Sequence, residues 1–264
     1  MGLPRSYLFV PGDRPERFDK AAAVGAGQVI VDLEDAVAPE AKAAAREALA
    51  RWMATPRPAA VRINGADTPW FDDDVALCRQ LRVTAVMPAK ATPDSLRHLA
   101  GRLPDSALLP LVETAEAMAA VQAIAACPGV QRLVFGSIDF QLALGLEGGW
   151  DDLQPFRAQI VLASALAGRG APVDGVCTVL DDPAPVHAEA LKARRSGFGA
   201  KLCIHPRQVP AVQEAFAPTP EQLAWARRVV AAAQDAGKGA VALDGRMIDR
   251  PVILQAQALL DAAG

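Results

Sequence analysis

Aromatic residues are scarce in this 264-residue chain: eight Phe, four Trp and the single Tyr7. So thin a set offers no stacking platform for single-stranded nucleic acid. Charge of one sign is not in excess either. Lys and Arg number 27 against 30 Asp and Glu, a net charge of −3, which gives no general attraction to nucleic acid or to an anionic membrane. The four cysteines, Cys78, Cys127, Cys177 and Cys203, form no C-x-x-C pair and lie in apolar segments. They read as small core residues in a reducing compartment. There are only three histidines, His98, His187 and His205, so no clustered Cys/His set for zinc exists. No apolar run approaches the ~20 residues of a membrane span, and the opening residues lack the pattern of a secretion signal. The expectation is a cytoplasmic protein with no membrane or nucleic-acid partner.

Hydrophobic residues make up 52% of the chain, enough for a large core. Short β-like runs alternate with Ala-rich helical windows. Strands are predicted at 7–10, 29–33, 60–63, 85–87, 108–112, 133–135, 173–178 and 201–204. Helices are predicted at 14–24, 40–53, 70–81, 93–101, 115–126, 153–167, 183–196 and 208–216. The strand runs are continuously apolar, as in a parallel sheet buried on both faces. Eight βα units argue for a (β/α)8 TIM barrel over residues 1–218. The alternative, an open doubly wound sheet, would carry a glycine-rich loop after its first strand, and Val10-Pro11-Gly12-Asp13-Arg14-Pro15 is not one. Thr92-Pro93 and Thr219-Pro220-Glu221 read as helix starts, and Gly25 and Gly197 as helix stops. Residues 219–264 exceed what a barrel needs. They read as a helix over 219–236, a hairpin turning at Asp244-Gly245, and a closing helix over 252–262. Such an extension serves as a lid or an oligomer contact.

Several apolar runs end on carboxylates: Val29-Ile30-Val31-Asp32-Leu33-Glu34-Asp35, then Leu111-Val112-Glu113, then Phe135-Gly136-Ser137-Ile138-Asp139. Another, Val61-Arg62-Ile63-Asn64, carries an arginine at the same place. Acids at buried strand ends are costly unless something compensates them. In a barrel the carboxyl ends of the strands converge on one face. Glu113 and Asp139 then become neighbours, and two carboxylates plus water suit octahedral Mg²⁺. Arg62 has the planar fork that pairs with a substrate carboxylate. The plainer reading of each acid is a helix N-cap, which suffices for Asp35 or Asp139 taken alone. Asp32 reads as structural. Arg14, Arg17 and Lys20, spaced by three, share one helix face, either solvated or in contact with a phosphate. His205 sits at the same rim and reads as a structural hydrogen-bonding group.

These segments resemble a known family. Arg5-Ser6-x-Leu8-Phe9-Val10-Pro11-Gly12, Val29-Ile30-x-Asp32-Leu33-Glu34-Asp35-Ala36-Val37, Val61-Arg62-Ile63-Asn64, Glu113-Thr114 and Phe135-Gly136-x-x-Asp139 are similar to the citrate lyase β-subunit-like proteins of the HpcH/HpaI aldolase/citrate lyase family. So are Ile204-His205-Pro206-x-Gln208 and Asp244-Gly245-x-Met247-Ile248-Asp249-x-Pro251. The resemblance covers nearly the whole chain. It implies a carbon–carbon lyase that cleaves a β-hydroxyacyl thioester into an acyl thioester and a 2-oxo acid. It implies Mg²⁺, or Mn²⁺ in its place, on Glu113 and Asp139, and Arg62 on the 2-oxo acid's carboxylate. Glu34 and Asp35 would orient the catalytic region. Asp249 on the lid would act as acid/base over a neighbouring subunit's site in a homotrimer or homohexamer. Phe9, Arg14 and Lys20 match positions near the arm of coenzyme A or of an acyl-carrier protein. The run Met87-Pro88-Ala89-Lys90 departs from the family's Pro-Lys, which leaves the role of Lys90 open.

Overall fold

The computed structural model describes residues 3–235, 241–244 and 246–261. They fall into two units, residues 3–215 and the described residues from 216 onward.

The larger unit is built on parallel strands: β1 (Ser6–Pro11), β2 (Gln28–Asp32), β3 (Ala59–Ile63), β4 (Ala85–Pro88) and β5 (Ala107–Leu108). They continue with β6 (Leu111–Val112), β7 (Val134–Phe135), β8 (Val173–Asp174) and β9 (Ala200–Cys203). The spatial order is β5-β4-β3-β2-β1-β9-β8-β7-β6. The two edges of this curled sheet are therefore consecutive pieces of one extended segment, split at Leu109-Pro110. Leu109 N–H still donates to the Val86 carbonyl at 2.8 Å, and the Pro110 carbonyl accepts from Val134 N–H at 3.0 Å. Proline has no N–H to continue the ladder, which interrupts the predicted fifth strand. The fold is TIM-barrel-like. Its interior is filled by Tyr7, Ile30, Met87, Leu111, Val134 and Leu202 among others.

Local chemistry accounts for many helix ends. Thr92 Oγ1 accepts from Ser95 N–H at 3.1 Å while Ser95 Oγ accepts from Thr92 N–H at 3.0 Å, a reciprocal cap. Gly25 (φ 79°) and Gly197 (φ 97°) end their helices in the left-handed region, where side chains are disfavoured.

Two expectations need correction. The predicted first helix is a 3₁₀ turn, Pro15–Arg17, followed by a short α-helix, Phe18–Ala23. Arg14, with φ −119° and ψ 61°, stands before the 3₁₀ turn, so Arg14, Arg17 and Lys20 do not lie on one continuous α-helix. The predicted strand 173–178 pairs only through Val173–Asp174. Beyond it, the Cys177 and Val179 carbonyls accept from the Gln208 side chain, each at 2.9 Å, instead of from a strand. All four cysteines are buried free thiols.

The second unit holds the helix Pro220–Asp235, the antiparallel pair β10 (Val241–Leu243) and β11 (Arg246–Ile248), and the helix Arg250–Asp261. Ala226, Val229, Ile248 and Ala256 form its core. Thr219 and Gln222 cap the first helix reciprocally, and Asp244 adopts φ 51° at the hairpin turn. Gly245, Ala236 and Ala262, which the sequence reading included in these elements, lie outside the described residues. No helix among the described residues is long and apolar enough to cross a membrane.

Candidate active site

A cavity of about 280 Å³ opens at the carboxyl ends of the strands. Of the residues singled out from the sequence, Phe9, Asp35, Arg62, Glu113 and Asp139 line it. Glu34 stands beside them, with Oε2 at 3.2 Å from Arg62 Nη1. Arg14 and Lys20 are exposed and lie outside the lining. Asp249 belongs to the second unit, where its Oδ1 accepts from Val252 N–H at 3.2 Å as a helix cap.

Asp32, read from sequence as merely structural, is central to the cluster. Strands β2 and β3 pair with Asp32 opposite Arg62. Arg62 Nε and Nη2 donate to the two Asp32 oxygens at 2.7 and 2.6 Å. One edge of the guanidinium fork is thus taken already, which leaves Nη1 toward Glu34 and Asp35. Asp32 also accepts from the N–H groups of Glu34 and Ala36, which winds the chain after β2 so that Glu34 turns toward Arg62. The Phe9 ring lies 4.9 Å under the guanidinium, a cation–π contact. Burial works against the charge on Arg62, but Asp32, Glu34 and Asp35 outweigh it and hold its pKa above the ordinary range.

Two lysines that the sequence reading did not place shape the same rim. Buried Lys42 donates to the Leu33 and Glu34 carbonyls and to Asn64 Oδ1, all at 2.7–2.8 Å. Asn64 is locked in turn by Asp74. Lys90 adopts φ 47°, unusual for a residue with a side chain. Its N–H donates to Glu113 Oε1 at 2.6 Å, and its ammonium lies 3.4 Å from Glu34 Oε1. The sequence signal available for it was its departure from the family's Pro-Lys. At the same rim, His205 Nδ1 accepts from Arg207 N–H at 3.2 Å.

Glu113 is the anomaly. It is 2% exposed, and its Oε2 has no hydrogen-bond partner. Burial pushes its pKa up to about 8, against the pull of the Lys90 N–H and with a further push from Glu34. Burial likewise raises Glu34 to about 7, with Arg62 opposing the shift and Asp35 adding to it. A Cβ on Gly136 would come within 2.4 Å of Glu113 Cβ, so only glycine lets the chain pass over that carboxylate. Asp139 sits in the first turn of the helix Ser137–Leu144, on the cavity wall. Among the described residues no three His, Cys, Asp or Glu side chains gather as a metal-ligand set. A cation here would therefore take two carboxylates, Glu113 and Asp139, and fill its other positions with water and substrate oxygens. Small hard dications favour that donor set, and an orphaned buried carboxylate oxygen is what such an ion would satisfy.

The model of the HpcH/HpaI aldolase/citrate lyase family matches residues 5–206. The chain belongs to that family. This family member is 38% identical to a citrate lyase subunit beta-like protein of Mycobacterium tuberculosis, over 98% of this chain and 95% of the relative. It is 32% identical to the L-malyl-CoA/beta-methylmalyl-CoA lyase of Cereibacter sphaeroides, over 98% and 94%. A crystal structure of CitE from M. tuberculosis, in complex with magnesium, acetoacetate and coenzyme A, superposes with a TM-score of 0.87 at 37% identity, covering 100% of this chain and 99% of that one. Like its family, the chain is a lyase.

Proposed function

We propose that this lyase cleaves a β-hydroxyacyl thioester of coenzyme A, with Mg²⁺ or Mn²⁺, into a short acyl thioester and a 2-oxo acid. The observation that carries this reading is the unpartnered Glu113 Oε2, buried beside Arg62 and facing the cavity that Asp139 shares. Glu113 and Asp139 would hold the cation. When bound, it supplies Lewis-acid polarisation of the oxygen on the bond-breaking carbon. Arg62, fixed on one edge by Asp32, offers Nη1 to the carboxylate that becomes part of the 2-oxo acid. Glu34 and Asp35 keep that guanidinium aimed and orient the catalytic region. Asp249, brought over the site by another copy in a homotrimer or homohexamer, would move the proton at the thioester carbon. The second unit is then a lid. Phe9 at the cavity and the exposed cations Arg14 and Lys20 suit the coenzyme's arm and phosphates.

Citryl bound to an acyl-carrier protein is the alternative substrate, since exposed cations serve a carrier's phosphopantetheine equally well. An aldolase of free hydroxy-oxo acids is disfavoured, because no histidine lies near β2 to act as base. A non-catalytic barrel is disfavoured by the orphaned carboxylate itself, which a scaffold has no need to bury. The deciding assay incubates the protein with Mg²⁺ and malyl-, citramalyl- or citryl-coenzyme A and detects the 2-oxo acid. No turnover, together with no metal bound at millimolar Mg²⁺, would sink the reading. Turnover by Asp249→Asn at the wild-type rate would remove Asp249 from the mechanism.

A further inference from the structure

Lys42 stands where three separate costs fall on a positive charge. It opens the helix Lys42–Trp52, at the end where the backbone dipole disfavours a cation, and no acid stands in that helix's first turn to offset it. It is 5% exposed, although lysine is seldom buried without a counter-ion. Its ammonium gives its three bonds to uncharged oxygens, the Leu33 and Glu34 carbonyls and Asn64 Oδ1, rather than to a carboxylate. The buried Asp74 is paired with Arg46 instead, at 3.2 Å. The Trp70 ring, 5.0 Å from the ammonium, offers a cation–π contact. Burial pushes the Lys42 pKa down, and Glu34, Asp32, Asp74 and Asp35 act against that push.

The three bonds join two pieces of chain. The Leu33 and Glu34 carbonyls belong to the turn after β2 that carries Glu34 and Asp35. Asn64 directly follows β3, two residues beyond Arg62. Asn64 Nδ2 donates back to the Leu33 carbonyl at 2.9 Å, and Asp74 Oδ2 accepts from Asn64 N–H at 3.1 Å and from Nδ2 at 2.6 Å. Lys42 therefore fastens the turn that bears Glu34 to the strand end that bears Arg62. Across that junction Arg62 Nη1 meets Glu34 at 3.2 Å and Asp35 at 3.7 Å. A neutral hydroxyl or amide could tie a helix to a strand end without desolvating a charge. A charged donor makes stronger bonds. It also sets a fixed positive charge beside a turn where Asp32, Glu34 and Asp35 all bear on one guanidinium.

From this buried ammonium bridging the two strand ends, we infer that Lys42 is a positioning residue of the lyase: it holds Glu34 and Asp35 in register with Arg62 and so keeps Nη1 aimed at the carboxylate of the 2-oxo acid. The inference rests on the reading of the site given above. The test compares full-length wild type, Lys42→Met and Trp70→Leu. Calorimetry gives the Kd of Mg²⁺, then the Kd of whichever of glyoxylate, pyruvate and oxaloacetate binds the Mg²⁺-loaded wild type most tightly. Turnover of malyl-, citramalyl- and citryl-coenzyme A gives kcat and KM. Lys42→Met should weaken the acid by about 10-fold, the scale of one lost charge-assisted hydrogen bond, and lower kcat, with the Mg²⁺ Kd within about twofold of wild type.

Trp70→Leu keeps the three bonds and removes only the ring beside the ammonium, so it should weaken the acid by about threefold. It decides the matter alone if Lys42→Met does not fold. Trp150→Phe serves as the control for a general loss of stability, because Trp150 bonds to Asp174 outside this network, and its acid Kd should match wild type. An acid Kd unchanged in the Lys42 and Trp70 variants makes Lys42 merely structural and overturns the inference. So does a loss of acid and Mg²⁺ affinity by the same factor, or a wild type that binds none of the three acids. A wild type that binds the acid but cleaves no thioester removes the lyase reading, while the expected contrast between acid and Mg²⁺ Kd values still upholds the role of Lys42.

Discussion

Two charge clusters sit at the strand ends of the larger unit, and they are built in opposite ways. Around β8 and β9, Asp174 is fully buried and accepts from Arg157 Nε at 2.7 Å, Lys201 Nζ at 3.0 Å and Trp150 Nε1 at 3.0 Å. Arg157 stacks 4.2 Å from the Trp150 ring, and Lys201 also meets Glu189 at 3.1 Å. Burial opposes the Asp174 charge, but Lys201 and Arg157 overcome it and hold its pKa below the ordinary range. Around β2, β3 and β6, acids outnumber cations, Glu113 keeps an orphaned oxygen, and the pKa values of Glu34 and Glu113 are pushed upward. In the first cluster two cations, Arg157 and Lys201, match two acids, Asp174 and Glu189, and it binds the Trp150 loop to the fold. In the second the acids are in excess and their pKa values are raised, and that imbalance marks where a cation and a substrate belong.

The largest expected effect would break this contrast at its functional end. Glu113→Gln should lower thioester cleavage by on the order of 10³-fold and weaken Mg²⁺ binding. It should leave the melting temperature in chelator near wild type at pH 7, because glutamine mimics the protonated acid that burial favours there. A large loss of stability in chelator would instead make Glu113 structural. At the other cluster, Asp174→Ala should cost about 3–5 kcal/mol, since it strands Arg157 and Lys201 without their buried partner. Denaturant unfolding reads this directly, and a loss under about 1 kcal/mol would refute the closed network.

The two clusters should also respond to pH with opposite sign. A carboxyl whose folded pKa is raised stabilises the fold below its unfolded value, and that contribution is lost as pH rises through the folded value. In chelator, Glu34 and Glu113 should therefore lower stability as pH rises between about 4.5 and 8. Mg²⁺, which binds the deprotonated form, should flatten that slope. Asp174, whose pKa is lowered, contributes above its unfolded value and loses that contribution only as pH falls through the folded one. Melting curves from pH 4 to 9, with and without Mg²⁺, test this sign. The smallest effect sharpens the comparison within the closed cluster. Trp150→Phe removes one hydrogen bond to Asp174 and should cost about 1 kcal/mol, with no change in Mg²⁺ affinity.

Much of the lining of the candidate site was legible in the sequence. Acids ending apolar runs gave Glu113 and Asp139, and the same position on a parallel neighbour gave Arg62. Asp32 read as structural, but its partner, Arg62 on β3, could not be read from a single strand. The strand stops at Asp32, and the Asp32 carboxylate then accepts from Glu34 and Ala36 N–H groups as the chain turns. Lys90 was illegible because its contact with Glu113 is made by its backbone in a left-handed conformation. The closed cluster left no local trace, since Asp174 meets partners 17 and 27 residues away.

The sequence by itself determined the succession of strands and helices, the caps and stops between them, and the placement of acids at strand ends. Those features depend on apolar periodicity and on bonds spanning a few residues, so each can be read in a short window. Only the tertiary structure decided which acid clamps Arg62, which is neutralised by buried cations, and which is left with an oxygen unpartnered. The energy of a buried charge depends on its desolvation and on every charge within a few ångströms, and those neighbours come from strands far apart in the chain.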